Sequence, residues 1–195
     1  MFQRLFRKKP KPTQKVKIEL NARLQPIHRG YLFEDPLVEL LETNQYGSVF
    51  GGNSVTHASG ELATSHISID LFEDKPEALP AVARALETLG APTGSSITDE
   101  TTNTRLSVGS YEGIGLYLNG SDLNPSIYAS CDSHFVYTEL DRLLKGSARV
   151  YSYWEGPEET AFYMYGPDTD EIRKRIDTFR DSYPLCEGSR LITIT

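Results

Sequence analysis

The stretch Tyr46–Phe72, YGSVFGGNSVTHASGELATSHISIDLF, decides the fold. Gly47 marks the end of a helix, and Ser59-Gly60 is a turn between two extended runs, Ser48–Thr56 and Glu61–Leu71. In the second run Ile67, Ile69 and Leu71 alternate with His66, Ser68 and Asp70, the period of a half-buried strand. Upstream, Asp35 caps a helix with Pro36 at its first position and Leu37, Leu40 and Leu41 on one face. Before it, Val16, Ile18 and Leu20 alternate with Lys17, Glu19 and Asn21 as a first strand. Downstream, Leu79, Val82, Leu86 and Leu89 form a helical stripe that stops at Gly90, and a short strand follows near Ile97. The order is βαββαβ.

The second half repeats it. Gly113–Asn119 reads as a strand, and Asp132 or Ser133 caps a helix carrying Val136, Leu140, Leu143 and Leu144. Strands near Ala148–Trp154 and Thr160–Tyr165 flank the turn at Gly156-Pro157. Asp168 and Glu171 resemble a capping box for a helix with Ile172, Ile176 and Phe179 on one stripe, and Arg190–Ile194 supplies a last strand. Three dipeptides recur at equivalent points: Leu20-Asn21 with Leu118-Asn119, Gly47-Ser48 with Gly146-Ser147, and Gly94-Ser95 with Gly188-Ser189. The expectation is an α+β protein of two tandem units with antiparallel sheets. Each unit resembles the ferredoxin-like fold, in which two helices cover one face of a four-stranded sheet. The expected divisions are a basic flexible leader at 1–14, a first unit at 15–98, a polar linker at 99–112 and a second unit at 113–195.

Charge constrains the partners. Of 20 basic residues, seven lie in the first 17 positions, leaving 13 against 27 acidic residues, a balance of −14 for the rest. Such a body repels phosphate backbones and attracts cationic surfaces. Strand aromatics on this topology resemble RNA-recognition modules. Residues 113–195 nonetheless hold 8 basic and 13 acidic side chains without the basic-glycine-aromatic signature, so nucleic acid is not expected. The leader has Phe2, Leu5 and Phe6 among its basic residues, which allows at most a marginal contact with anionic lipid. No stretch is apolar for long enough to span a bilayer, and two cysteines form no disulfide framework, so a cytoplasmic chain is expected.

Chemistry-bearing motifs are sparse. Cys131 and His134 form a C-x-x-H at a helix start, whose functional reading is a small cytosolic enzyme and whose structural reading is a packed cysteine beside a capping region. Further ligands at metal spacing are lacking, and Gly51-Gly52-Asn53 lacks the context of a phosphate loop, so no cofactor or metal is expected and a β-bulge is the reading of the glycines. The segment Gln25–Pro36 reads as a polar loop with His28, Arg29, Glu34 and Asp35, serving turn chemistry or recognition. In the second unit strict alternation puts Tyr151 and Tyr153 on one strand face, beside Tyr163 and Tyr165 of the next strand. That face either binds a partner or packs against the other unit.

The segment from Ile18-Glu19-Leu20-Asn21-Ala22-Arg23-Leu24-Gln25-Pro26 through Glu34-Asp35-Pro36-Leu37 resembles the immunity proteins that bacteria co-produce with antibacterial toxins. The resemblance implies a non-catalytic inhibitor that occludes the active site of a basic toxin domain. On that expectation the contacts are Tyr151, Tyr153, Tyr163 and Tyr165, with Glu34, Asp35, Glu155, Glu158 and Glu159 as acidic rim. A regulatory module tethered by its leader is the remaining alternative.

Overall fold

The computed structural model describes residues 13–195, so the expected leader lies almost wholly outside the described residues. Thr13 and Gln14 already belong to the first strand. The first unit comprises β1 (Thr13–Leu20), α1 (Pro26–Arg29), α2 (Asp35–Thr43), β2 (Gly47–Thr56), β3 (Leu62–Phe72), α3 (Ala78–Leu89), β4 (Ser95–Asp99) and β5 (Thr104–Val108). The second comprises β6 (Glu112–Asn119), α4 (Pro125–Ser130), α5 (Ser133–Leu144), β7 (Arg149–Glu155), β8 (Glu159–Gly166), α6 (Thr169–Ser182) and β9 (Arg190–Thr193). Strand order is β2-β3-β1-β4-β5 in one sheet and β7-β8-β6-β9 in the other, with every ladder antiparallel. The architecture is α+β, two ferredoxin-like units in tandem.

The repeated dipeptides fall at equivalent places. Gly94 and Gly188 both adopt positive φ just before the fourth strand of their unit. A Cβ on Gly94 would lie 2.9 Å from the Asn21 side-chain nitrogen, and one on Gly188 would lie 3.9 Å from that of Asn119. In each unit the asparagine at the end of the first strand thus sits against the left-handed glycine before the fourth.

Two sequence expectations are corrected. The polar linker 99–112 contains a fifth strand: β5 pairs with β4 from Ser95↔Val108 to Asp99↔Thr104. Asp99 builds the turn, accepting from the Thr101 amide at 2.8 Å and the Thr102 hydroxyl at 2.5 Å, while Asn103 takes the left-handed conformation. These bonds, the Thr102 hydroxyl foremost, hold the Asp99 carboxyl down at about 2. A Thr-rich stretch is thus a hairpin turn closed by an aspartate. Likewise the segment expected as a loop at Gln25–Pro36 is helical from Pro26 onward. Gln25 is the extended residue before the helix, Pro26 occupies the first turn, and Asp35 lies inside with helical angles. Between α1 and α2 the stretch Gly30–Glu34 widens into a π-helical turn, with the Asp35 amide donating to the Gly30 carbonyl. Pro36 has no N–H and its ring would strike the carbonyl four residues back, so one extra residue per turn lets the helix pass through it.

The Gly51-Gly52-Asn53 cluster lies at an irregularity in the β2–β3 ladder, between Val49↔Ile69 and Gly51↔Ser68. Gly52 has a specific reason to lack a side chain. A Cβ there would lie 2.1 Å from Glu34 Oε1, 2.8 Å from Arg29 Nε and 2.9 Å from the His66 carbonyl. The buried Arg29 donates to Glu34 at 2.6 Å and to Ser54 Oγ at 2.8 Å, and Ser54 in turn donates to the Leu24 carbonyl. Glu34, expected at an acidic rim, is therefore half-buried and committed to Arg29.

Gly52→Ala is expected to destabilise the protein by about 1–3 kcal/mol through overpacking. In a Glu34→Ala background the cost should fall, because the closest of the three clashes is removed and Arg29, no longer tied to that carboxylate, can give way. Urea unfolding of the four proteins in this cycle checks it.

Candidate functional site

One face of the second sheet is closed against the first unit. Tyr151, Tyr163 and Tyr165 are fully buried, and Tyr117 of β6 is nearly so. The Tyr151 hydroxyl donates to the Gly90 carbonyl at 2.9 Å, at the end of α3, and its ring lies 6.0 Å from Phe33. The Tyr165 hydroxyl accepts from the Arg23 amide at 2.9 Å. Glu61, just before β3, accepts from Tyr163 at 3.0 Å and from Tyr117 at 2.5 Å, and forms an ion pair with Arg23. Gly113 and Gly115 of β6 make room for the rings, since Cβ atoms there would come within 2.5 Å of Tyr165 and 2.7 Å of Tyr117.

The expected partner-binding role of Tyr151, Tyr163 and Tyr165 is thereby corrected: these rings join the two units and present no free surface. Burial pushes all four phenols well above their ordinary value, with Glu61 adding to the effect at Tyr117 and Tyr163. Held neutral in this way, Tyr117, Tyr151 and Tyr163 donate from their hydroxyls, while that of Tyr165 accepts.

Tyr153 departs from the alternation for a different reason. The β7–β8 register runs Val150↔Met164, then Ser152↔Tyr163 and Tyr153↔Phe162, so Tyr151 is an extra residue in the ladder. This bulge turns Tyr151 and Ser152 toward the first unit and carries Tyr153 and Glu155 to the helix-covered face. Ser152 Oγ accepts from the Gln25 amide at 3.1 Å and lies 2.8 Å from Nδ1 of the buried His28.

On the helix-covered face the shifted residues line a cleft. Tyr153↔Phe162 and Glu155↔Thr160 are successive cross-strand pairs, and α5 contributes Ser133, His134 and Tyr137. The cavity measures about 280 Å³. Tyr137 lies 6.4 Å from Tyr153 at 77° and 6.3 Å from Phe162 at 53°, while His134 stacks on it at 6.5 Å. A second lobe of about 260 Å³ shares Ser133 and Thr160 and extends to Asn119, Tyr128 and Cys131. Beyond it a depression of about 270 Å³ is lined by Asp122, Glu158 and Glu159, among others. The first unit reaches this cleft through His28, whose ring is 5.6 Å from both Tyr153 and Tyr31.

The acidic candidates therefore separate. Glu155 and Glu158 are exposed beside the cleft, and neither has an ion-pair partner among the described residues. Glu159 is there too but is paired with Arg190 at 2.6 Å. Asp35 is exposed on the helical segment of the first unit. Cys131 follows α4, half-buried and 3.9 Å from Ser130 Oγ, and no hydrogen bond joins it to His134 among the described residues. Asp132 caps α5 by accepting from the His134 amide at 2.9 Å. Tyr137, Phe162 and Thr160 were outside the expected site. Their signal was i,i+4 spacing from Ser133 to Tyr137 and alternation along β8, legible only once the bulge is known.

No protein-family model matches the sequence, and no curated protein matches it. Among solved structures the chain is similar to a protein of unknown function from Galdieria sulphuraria, at 14% identity over 93% of this chain and 98% of that one, with a TM-score of 0.28. It is also similar to the first two RRM domains of the yeast poly(U)-binding protein, at 10% identity over 92% and 99% with a TM-score of 0.25. The regulatory subunit of aspartate kinase from Thermus thermophilus gives 11% identity over 85% and 92%, with a TM-score of 0.25. Likenesses at this level carry no functional inference.

Two outcomes test the closed face. Glu61→Ala should cost about 2–3 kcal/mol, since it strands Arg23 and two phenols, and Glu61→Gln should cost less. Phenols whose folded pKa is raised stabilise fully below their unfolded value of 10 and lose that contribution as pH rises above it. Stability should thus fall beyond pH 10, and ultraviolet titration should show that at least four of the 11 tyrosines ionise only on unfolding.

Proposed function

We propose that the protein is a non-catalytic binding protein that neutralises a basic partner, in the manner of the immunity proteins its Ile18–Leu37 segment resembles. The observation that carries this reading is the pair of carboxylates Glu155 and Glu158, exposed beside an aromatic-lined cleft without cationic partners among the described residues. An aromatic floor with an acidic edge suits a cationic protein surface, the rings supplying contact energy and the carboxylates association rate. The balance of −14 beyond the leader reinforces both by long-range attraction. On this reading the protein works in the bacterial cytoplasm and covers the active site of a toxin domain stoichiometrically, with no turnover.

The test begins with isolation of a complex from the native host and measurement of its kinetics. The captured protein should be basic, bind at fixed stoichiometry, and associate more slowly as salt rises. The double charge reversal Glu155→Lys, Glu158→Lys should slow association about tenfold or more while leaving the melting temperature within a few degrees. A partner that binds the double variant as fast as the parent protein would rule out this surface. A partner that is acidic would rule out the function.

A further inference from the structure

We infer that the aromatic lobe of the cleft, between α5 and the β7–β8 hairpin, is a cage that admits one cationic side chain, lysine or arginine, from the partner. The inference rests on the binding reading above and adds to it the chemistry of the group that enters.

Shape comes first. At about 280 Å³ the lobe lies just below the roughly 300–1,000 Å³ typical of drug-sized ligands, a volume suited to a single extended side chain. Tyr137, Tyr153 and Phe162 all line it, and their rings meet at 77° and 53°, so they form a corner and not a flat wall. A cation in such a corner lies within reach of more than one ring quadrupole, and the attraction grows as water is excluded.

Charge then selects the guest. Glu155 lines the same lobe and is exposed, without an ion-pair partner among the described residues. Asp141, one helical turn beyond Tyr137 on α5, adds negative potential at that ring, and Arg149 opposes it without lining the lobe. An apolar guest would cover the Glu155 carboxylate and strip its water with nothing in return. An anion would be repelled by it. A lysine or arginine head group neutralises it and can donate to the hydroxyls of Ser133 and Thr160, which stand where the two lobes join.

The test is a nuclear magnetic resonance titration of the full chain with three small probes. These are Nα-acetyl-lysine methylamide, Nα-acetyl-arginine methylamide and the neutral Nα-acetyl-norleucine methylamide. At least one cationic probe should shift the Tyr137 and Tyr153 ring signals saturably, with the norleucine probe at least tenfold weaker. Glu155→Gln, at an exposed position, should weaken the cationic probe several-fold and leave the norleucine probe unchanged. Tyr137→Leu should abolish the response. Equal binding of the norleucine probe, no saturable shift with any probe, or no effect of Glu155→Gln overturns the cage. A basic partner that binds Tyr137→Leu undiminished, yet is slowed by the charge reversal at Glu155 and Glu158, overturns the cage and leaves the binding reading standing. Saturable entry of a cation with no basic protein bound supports the cage and overturns that reading.

Discussion

Glu61 joins the two units. Its carboxylate accepts phenols from β6 and β8 of the second unit while pairing with Arg23 of the first, so three donors from both units converge on one acceptor. Arg23 in turn holds Tyr165 through its backbone amide and contacts the Tyr117 oxygen through its guanidinium at 2.6 Å. Each buried tyrosine removes roughly 150–250 Å² from water, and four of them represent on the order of 10 kcal/mol of gross apolar burial. That gain is available only if four hydroxyls find partners in the interior. Glu61, the Arg23 amide and the Gly90 carbonyl supply them. Without these partners the rings would face a choice between solvent and an unsatisfied interior.

The closed face explains why the two sheets differ despite a shared topology. On β1 the outward residues Lys17 and Glu19 keep that face wet, with Glu19 near both Arg105 and His66. On β6 Gly113 to Leu118 are all buried. A strand buried on both faces reads as a continuous run of small and apolar residues, not as alternation. Gly-Ile-Gly-Leu-Tyr-Leu is such a run, and its glycines clear space for the Tyr165 ring on the neighbouring strand and the Tyr117 ring on β6 itself. Packing of the tyrosine face was therefore written in β6 more plainly than in the tyrosines themselves.

Most of the topology was legible because it depends on periodicity and on turn glycines. Hydrophobic stripes located α3, α5 and α6, and the Asp132 and Asp168 caps hold as hydrogen-bonded ends. What escaped was local and depended on a single residue. Pro36 looked like a helix start because proline favours the first turn, yet a π-turn lets it lie within the helical run. Asp99 looked like the start of a linker because its threonines resemble one, yet they are donors to its carboxylate. The extra residue at Tyr151 is invisible to an alternation rule, and it inverts every side chain after it. Hence Glu155 and Tyr153 were identified as surface candidates without their neighbours Tyr137 and Phe162.

The bulge also assigns the second unit's aromatics to separate tasks. Tyr151, Tyr163 and Tyr165 are fully buried and hydrogen-bonded to the other unit, so they contribute stability and cannot also serve recognition. On the other side Tyr153 and Tyr137 remain half-exposed at the cavity, beside the exposed Glu155, whose carboxylate has no ion-pair partner among the described residues. Shifted back by one residue, Ser152 and Trp154 would face the cleft, and Tyr153 and Glu155 would be turned toward the first unit. An unpaired carboxylate buried at that seam would lose its water with no partner to offset the cost. A single inserted residue thus keeps Tyr153 and Glu155 together on the face that lines the cleft.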